Sequence, residues 1–261
     1  MYKAPPPEVW AAVSGTTAGD AWLHRDEPKS PELLSRYQDA VAQLERGVPF
    51  AYAVGRVGFR TLDLAIDARA LIPRPETEGL VDLVLREIGK RGLVADIGTG
   101  CGCIALALAV EGRFEKVVAV EQSPAAAALA RENVQRIAPA TPVEIREGNL
   151  LAPLVDREGR FRAIVSNPPY VSAAEYEELD RSVRDFEPRE ALVSGADGLD
   201  ATRALFAGAG ALLEPGGLLA LEIDERRVDA VRMLARDSGW RVEIHADLFG
   251  CSRYALSIKE D

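Results

Sequence analysis

The stretch Ile164-Val165-Ser166-Asn167-Pro168-Pro169-Tyr170-Val171 gathers residue types that can do chemistry at one fixed point of the chain. Phe161, Ala163, Ile164 and Val165 form a short apolar run of the kind that fills a buried parallel strand. Pro168 and Pro169 then stop the ladder, because neither has an N–H to donate and each fixes φ near about −65°. Asn167, which precedes a proline, is held in extended geometry. The expected product is a stiff elbow at the carboxyl end of a strand, where open α/β sheets bind ligands. The Asn167 side-chain carbonyl and the Pro168 backbone carbonyl supply two hydrogen-bond acceptors, and Tyr170 supplies a flat wall. That set suits a planar –NH2 group, either an amide or the amino group of a base. The dipeptide Asn-Pro alone reads as an ordinary turn; the full tetrapeptide after a buried strand, with a cofactor loop upstream, reads as a site.

A second constellation lies upstream. Leu93-Val94-Ala95-Asp96-Ile97 reads as a buried strand running into Gly98-Thr99-Gly100-Cys101-Gly102 and then an apolar helix from Ile104 to Val110. Strand, glycine turn and helix place backbone N–H groups and a positive helix end at a ligand. The spacing is G-x-G-x-G rather than the G-x-G-x-x-G of a dinucleotide pyrophosphate site. Asp96 so close to the first glycine suits an ammonium better than a phosphate, which points to the methionyl part of S-adenosylmethionine. The next strand, Val117-Val118-Ala119-Val120-Glu121, ends in an acid placed to bind both ribose hydroxyls. Gly148-Asn149-Leu150, after the strand Val143-Glu144-Ile145, offers an amide and an apolar group to an adenine.

These groups need elements to hold them. Residues 1–48 read as a small helical domain, with prolines and glycines (Pro5, Pro6, Pro7, Gly15, Gly19) breaking the first thirty. One clear helix follows, capped by Ser30, with Leu33, Leu34, Tyr37, Val41 and Leu44 on one face. This unit is a packing appendage or a docking module for a macromolecular substrate. Residues 49–70 read as a linking β-hairpin, Phe50–Val54 paired with Phe59–Ile66 across a turn at 55–58. Residues 71–261 read as the main domain. It opens with Leu71-Ile72-Pro73-Arg74-Pro75-Glu76-Thr77-Glu78, a stiff loop entering a helix from Pro75 to Ile88. Arg74, fixed between prolines, is a candidate to steer a cofactor carboxylate or a substrate. Glu76 and Glu78 complement the positive helix end. Beyond the elbow, the acids from Glu175 to Glu190 read as a solvated face or as a lid shaped for a basic protein segment. A helix from Leu199, the strand Leu218–Ile223, a helix from Arg226 and the strands Trp240–Ala246 and Tyr254–Ile258 complete the chain. The last two strands have no helix between them and are expected antiparallel. The fold class is α/β, a doubly wound, Rossmann-like sheet of seven strands.

Composition narrows the function classes. With 261 residues, 48% of them apolar, the chain can bury a sizeable core. A formal net charge of −10 argues against a nucleic-acid partner held by phosphate neutralisation. No apolar run approaches the roughly 18 residues of a membrane helix, and the start lacks a signal-peptide core. Three cysteines make no disulfide framework, so a cytoplasmic setting is expected. Cys101 and Cys103 have no second ligand pair and the two histidines, His24 and His245, fall outside the ligand loops, so no metal is expected.

Taken together, the pattern resembles the protein-(glutamine-N5) methyltransferases that modify class I peptide chain release factors. The resemblance rests on Leu71–Glu78, Asp96–Gly102, Ser166–Tyr170, Phe186-Glu187-Pro188 and Gly195-Ala196-Asp197-Gly198-Leu199-Asp200. Glu121 stands where that family usually has aspartate. The resemblance implies methyl transfer from S-adenosylmethionine to a glutamine side-chain amide. Asn167, Pro168 and Tyr170 are then catalytic. Asp96, Gly98, Thr99, Gly100, Cys101, Gly102, Glu121, Asn149, Leu150 and Asn167 bind cofactor. Asn167, Pro168, Pro169, Tyr170 and Arg74 contact substrate. Two alternatives stay open: an exocyclic amine of adenine or guanine in DNA or RNA as acceptor, and a cofactor-binding scaffold with no turnover.

Overall fold

In a computed structural model, residues 7–89, 91–155 and 160–259 are described; Pro5 and Pro6 lie outside them. Four helices come first: α1 (Pro7–Ser14), α2 (Ala18–Leu23), α3 (Pro31–Glu45) and α4 (Phe50–Val54). Ser30 caps α3 by accepting from Leu33 N, as its sequence position predicts. Val9, Val13, Tyr37, Ala40 and Val54 bury a small core of their own, and Trp10 stacks on Tyr37 with centroids 3.9 Å apart. Leu34 is exposed, and Ala40 takes the place on the inner face that was expected of it.

Phe50–Val54 is helix α4, not the strand expected of it. Five apolar residues carry no period that separates the two states, and here Tyr52, Ala53 and Val54 are all buried as one helical turn that Gly55 closes at φ +72°. The hairpin is therefore shorter: β1 (Arg56–Phe59) pairs antiparallel with β2 (Leu62–Ala65). Its turn lies at Arg60-Thr61, and Arg60 takes φ +52°. Several bonds hold that conformation: Arg60 N donates to Glu78 Oε1 at 2.8 Å, and the guanidinium reaches Glu111 and Asp82.

The main sheet has seven strands in the order β5-β4-β3-β6-β7-β9-β8. They are β3 (Leu93–Ile97), β4 (Lys116–Glu121), β5 (Val143–Glu147), β6 (Phe161–Ser166), β7 (Leu213–Glu222), β8 (Trp240–Ala246) and β9 (Ser252–Lys259). All neighbours are parallel except β9, which is antiparallel to both β7 and β8. Alternate residues serve opposite faces. Val94, Val117, Ala119, Ala163 and Val165 pack beneath α5 (Pro75–Glu87), α6 (Cys103–Glu111) and α7 (Pro124–Ile137). Ala95, Val118, Val120, Ile164 and Leu219 pack beneath α10 (Asp200–Leu212) and α11 (Val228–Asp237). With both faces covered, the central strands β3, β4 and β6 are apolar at nearly every position, which is why they read as continuous runs, while the edge strands β5 and β8 carry charged residues.

Chain order reverses between β3 and β6: β4 and β5 extend the sheet one way, β6 and β7 the other. The loops leaving β3 and β6 open a crevice at that switch point. Ser166 Oγ donates to Ile97 O at 2.7 Å and ties the two strand ends together.

Asn133 of α7 fastens the hairpin to this edge. It is fully buried; Oδ1 accepts from Ala65 N at 2.7 Å, and Nδ2 donates to Ala65 O and Cys101 O at 2.9 Å each. The side-chain amide thus pairs with β2 as another strand would and also holds the loop after β3. Asn133→Leu leaves these groups without partners, and denaturant unfolding is expected to record a loss of about 2–3 kcal/mol.

Candidate active site

A cavity of about 380 Å³ opens at the switch point. Gly98, Gly100, Glu121, Asn149, Leu150, Asn167 and Pro169 all line it, so the two constellations meet at one site. Thr99, Cys101, Gly102, Pro168 and the half-buried Tyr170 are not on this wall. Thr99 and Cys101 are buried, Gly102 caps α6 at φ +88°, and Pro168 is buried at the elbow.

Asp96 does not reach the cavity. It lies fully buried under the loop, where Oδ2 accepts from Thr99 Oγ1 at 2.5 Å and from Ala105 N at 3.0 Å. It therefore caps the N-terminus of α6 and answers that helix's positive end with the chain's own acid. Burial pushes its carboxyl up to about 7, against the two bonds that favour ionisation. Four of the five N–H groups of Gly98–Gly102 are also spent internally, contrary to the expectation that they face a ligand. Gly98 N and Thr99 N donate to Val120 O, Gly100 N to Glu121 Oε2, and Gly102 N to Thr99 O. These contacts turn most of the loop's donors away from a ligand, and Gly98 and Gly100 give the cavity a wall of backbone. A Cβ on Gly98 would stand in open space at the cavity, in the volume a ligand can fill.

Glu121 is at the wall and only 8% exposed. Its two oxygens accept from Gly100 N and Ser123 N, both at 2.9 Å, which fixes the carboxylate and leaves a lone pair on each oxygen for a diol. Gly148 N donates to Glu121 O, which brings Asn149 and Leu150 to the same wall. A fixed acceptor pair, a bare glycine wall and an amide–apolar pocket fit the ribose, methionyl and adenine parts of S-adenosylmethionine.

At the elbow, Asn167 Nδ2 donates to Thr77 Oγ1 at 3.1 Å, and Thr77 Oγ1 donates to Glu222 Oε2 at 2.7 Å. Burial pushes the Glu222 carboxyl up to about 7, with the Thr77 bond as a partial offset. Burial also pushes the Tyr170 hydroxyl up to about 12, aided by the negative Glu222 beside it. Arg74, expected at the substrate, is held by the buried Glu187: Nη2 lies 2.6 Å from Oε1, while Glu187 Oε2 accepts from Ile72 N. Arg74 is not on the cavity wall. It clamps the loop before α5 to the acidic segment.

Five acids of that segment, Glu177, Glu178, Asp180, Asp185 and Glu190, are exposed as on a solvated face, but the segment is not a plain loop. It holds two short helices, α8 (Ala173–Tyr176) and α9 (Arg181–Arg184), and Glu175 pairs with Arg226 and Arg227. Its far end supplies a wall that sequence reasoning missed: Pro188, Glu190, Val193, Ser194, Gly195 and Asp200 line the cavity. Val171 N donates to Leu192 O and Ser194 N to Val171 O, both at 2.9 Å, stitching this wall to the elbow. Gly198 makes the closest approach: at φ +78°, a Cβ there would stand 2.3 Å from Tyr170 O. The signal was the Phe-Glu-Pro and Gly-x-Asp-Gly-Leu run, which marked the resemblance and was assigned no place in the site.

Two family models match, a methyltransferase small domain over residues 77–184 and a PrmC N-terminal domain over residues 8–55. Proteins named release factor glutamine methyltransferase are similar over most of the chain. The one from Xylella fastidiosa (strain Temecula1) is 44% identical across 84% of this chain and 80% of its own. Those from Deinococcus radiodurans and Geobacter sulfurreducens are 39% and 40% identical, covering 96% and 85% of this chain and 90% and 76% of theirs. The chain belongs to the release factor glutamine methyltransferase family. Its members are S-adenosylmethionine-dependent methyltransferases, and this chain is an enzyme of that class with that cofactor. Solved structures share the fold: the hMettl16 catalytic domain (TM-score 0.61, 19% identity, 75% of this chain and 74% of that one) and a methyltransferase from Pyrococcus furiosus (0.56, 21%, 87% and 98%). No helix among the described residues is long and apolar enough to cross a membrane.

Two outcomes follow for this release factor glutamine methyltransferase relative. Glu121→Ala removes the fixed acceptor pair, and calorimetry is expected to record cofactor binding weakened by at least about tenfold, or ~1.4 kcal/mol. Glu222 holds its proton up to about pH 7 in the folded state and only to its ordinary value of 4.5 when unfolded. The folded state therefore binds more protons across that window, and stability falls as pH rises through it. Glu222→Gln is expected to reduce that fall between about pH 5 and 8 in denaturant titrations, leaving the contribution of Asp96, whose carboxyl is also pushed up to about 7.

Proposed function

We propose that the enzyme transfers a methyl group from S-adenosylmethionine to the N5 amide nitrogen of a glutamine in a class I peptide chain release factor, in the cytoplasm. The observation that carries this reading is the place of Asn167: it lies on the same cavity wall as the glycine loop and Glu121. In the division used here, residues 1–48 and the hairpin linker 49–70 precede a catalytic domain of residues 71–261.

An amide nitrogen is a poor nucleophile because its lone pair is delocalised into the carbonyl. S-adenosylmethionine supplies, when bound, an electrophilic methyl carbon on a sulfonium. The Asn167 side-chain carbonyl and the Pro168 carbonyl accept the two amide N–H bonds and aim the nitrogen. Both acceptors also favour the positive charge that builds on nitrogen during attack. Tyr170, kept neutral by burial, packs on the amide plane. Alignment in a dry pocket provides much of the rate through effective molarity. The methylated nitrogen is acidic enough to lose its proton to water, so the elbow requires no base.

Mass spectrometry of purified release factor after incubation with enzyme and donor is expected to find one added methyl on a glutamine, with none transferred to DNA or RNA. Asn167→Ala is expected to abolish transfer while cofactor affinity stays within about tenfold. Transfer to nucleic acid alone, or a fully active variant, contradicts the reading.

A further inference from the structure

The role given to Asn167 depends on which end of its carboxamide faces the cavity, because only the carbonyl can accept an N–H. Three elements decide this. Glu222 closes β7, Thr77 lies in the first turn of α5, and Asn167 follows β6. Glu222 and Thr77 are each 2% exposed. The Thr77 hydroxyl has one proton, and the Glu222 oxygen 2.7 Å away is an acceptor, so the proton goes there. Thr77 Oγ1 is then an acceptor towards Asn167, 3.1 Å away, and only the NH2 end of the carboxamide can satisfy it. The Asn167 side chain also bonds Glu222 directly and favours its ionised form, as an NH2 donor does, so the order of donors holds with Glu222 ionised and with a proton on Oε1.

We propose that Thr77 and Glu222 are positioning residues that lock the Asn167 carboxamide with its NH2 turned inward and its carbonyl presented to the substrate amide. The lock is braced from behind. Tyr254 on β9 donates through its hydroxyl to Glu76 O at 2.6 Å, one residue before Thr77. Gly79 lets that contact form, since a Cβ there would stand 2.3 Å from the Tyr254 hydroxyl oxygen. α5 is thus pinned at the turn that carries Thr77. Glu76-Thr77-Glu78, read from sequence as acids at a helix start, contributes through its threonine. The substrate half of this inference rests on the function proposed above; the orientation of Asn167 does not.

The test uses 15N-labelled full-length enzyme in two arms. In the first, the Asn167 side-chain NH2 resonance is identified by its loss in Asn167→Ala, and its hydrogen exchange is measured. Slow exchange in the parent, lost in Thr77→Val and kept in Thr77→Ser, is expected. In the second, kcat for release factor methylation is expected to fall by at least about tenfold in Thr77→Val and to return to within about threefold in Thr77→Ser, as for a misaimed but intact site. Cofactor Kd of Thr77→Val is expected to stay within about threefold of the parent, so that kcat falls while cofactor binding is kept, and the rescue by Thr77→Ser separates aiming from loss of fold. Free exchange in the parent overturns the proposal without any variant. So does Thr77→Val with unchanged protection or unchanged kcat. If the parent methylates no release factor, the substrate reading fails and the exchange arm still decides the orientation.

Discussion

Two parallel strands that end side by side set the terms for everything else in this molecule. Ile97 and Ser166 are register partners at the switch point, and the Ser166 hydroxyl bonds back to Ile97 O. Beyond that bond the two chains must part, one into glycines and the other into prolines. The glycines remove side chains from one wall; the prolines remove the freedom to refold the other. A ligand cavity between a bare backbone and a rigid elbow follows from those two residue types alone.

Electrostatics then select the ligand. Asp96 caps α6, and Gly98 N, Thr99 N and Gly100 N bond to Val120 O and Glu121. Glu121 fixes an acceptor pair where a diol can bind. The buried carboxyls Asp96 and Glu222 are both pushed up to about 7 by burial, Asp96 under the glycine loop and Glu222 behind Thr77 and Asn167. An uncharged amide and a cationic donor are the partners such a site can hold without neutralising it.

What the sequence revealed was whatever is encoded locally. The elbow, the G-x-G-x-G loop and Glu121 are short-range patterns, and the doubly covered sheet declares itself through unbroken apolar runs such as Val117–Val120. Phe50–Val54 was misread because five apolar residues fit a helical turn as well as a strand, and burial of Tyr52, Ala53 and Val54 chose the helix. Asp96 was misplaced because its partner, the first turn of α6, is visible only in three dimensions. Asn133, Thr77 and Glu222 escaped notice for a related reason. Each is a polar residue that carries no local pattern of its own and whose partner lies 68, 90 or 145 positions away. The wall from Pro188 to Asp200 has no periodicity to read, and only its stitching to Val171 places it.

The central claim is that the elbow holds one planar nitrogen in line with an activated carbon. A crystal structure of the enzyme with the demethylated donor and a glutamine-containing release factor loop tests it most directly. The account predicts the glutamine amide nitrogen within hydrogen-bond distance of both Asn167 Oδ1 and the Pro168 carbonyl, with the donor sulfur behind it. An amide bound away from the elbow, or an Asn167 carbonyl turned from the cavity, would contradict it.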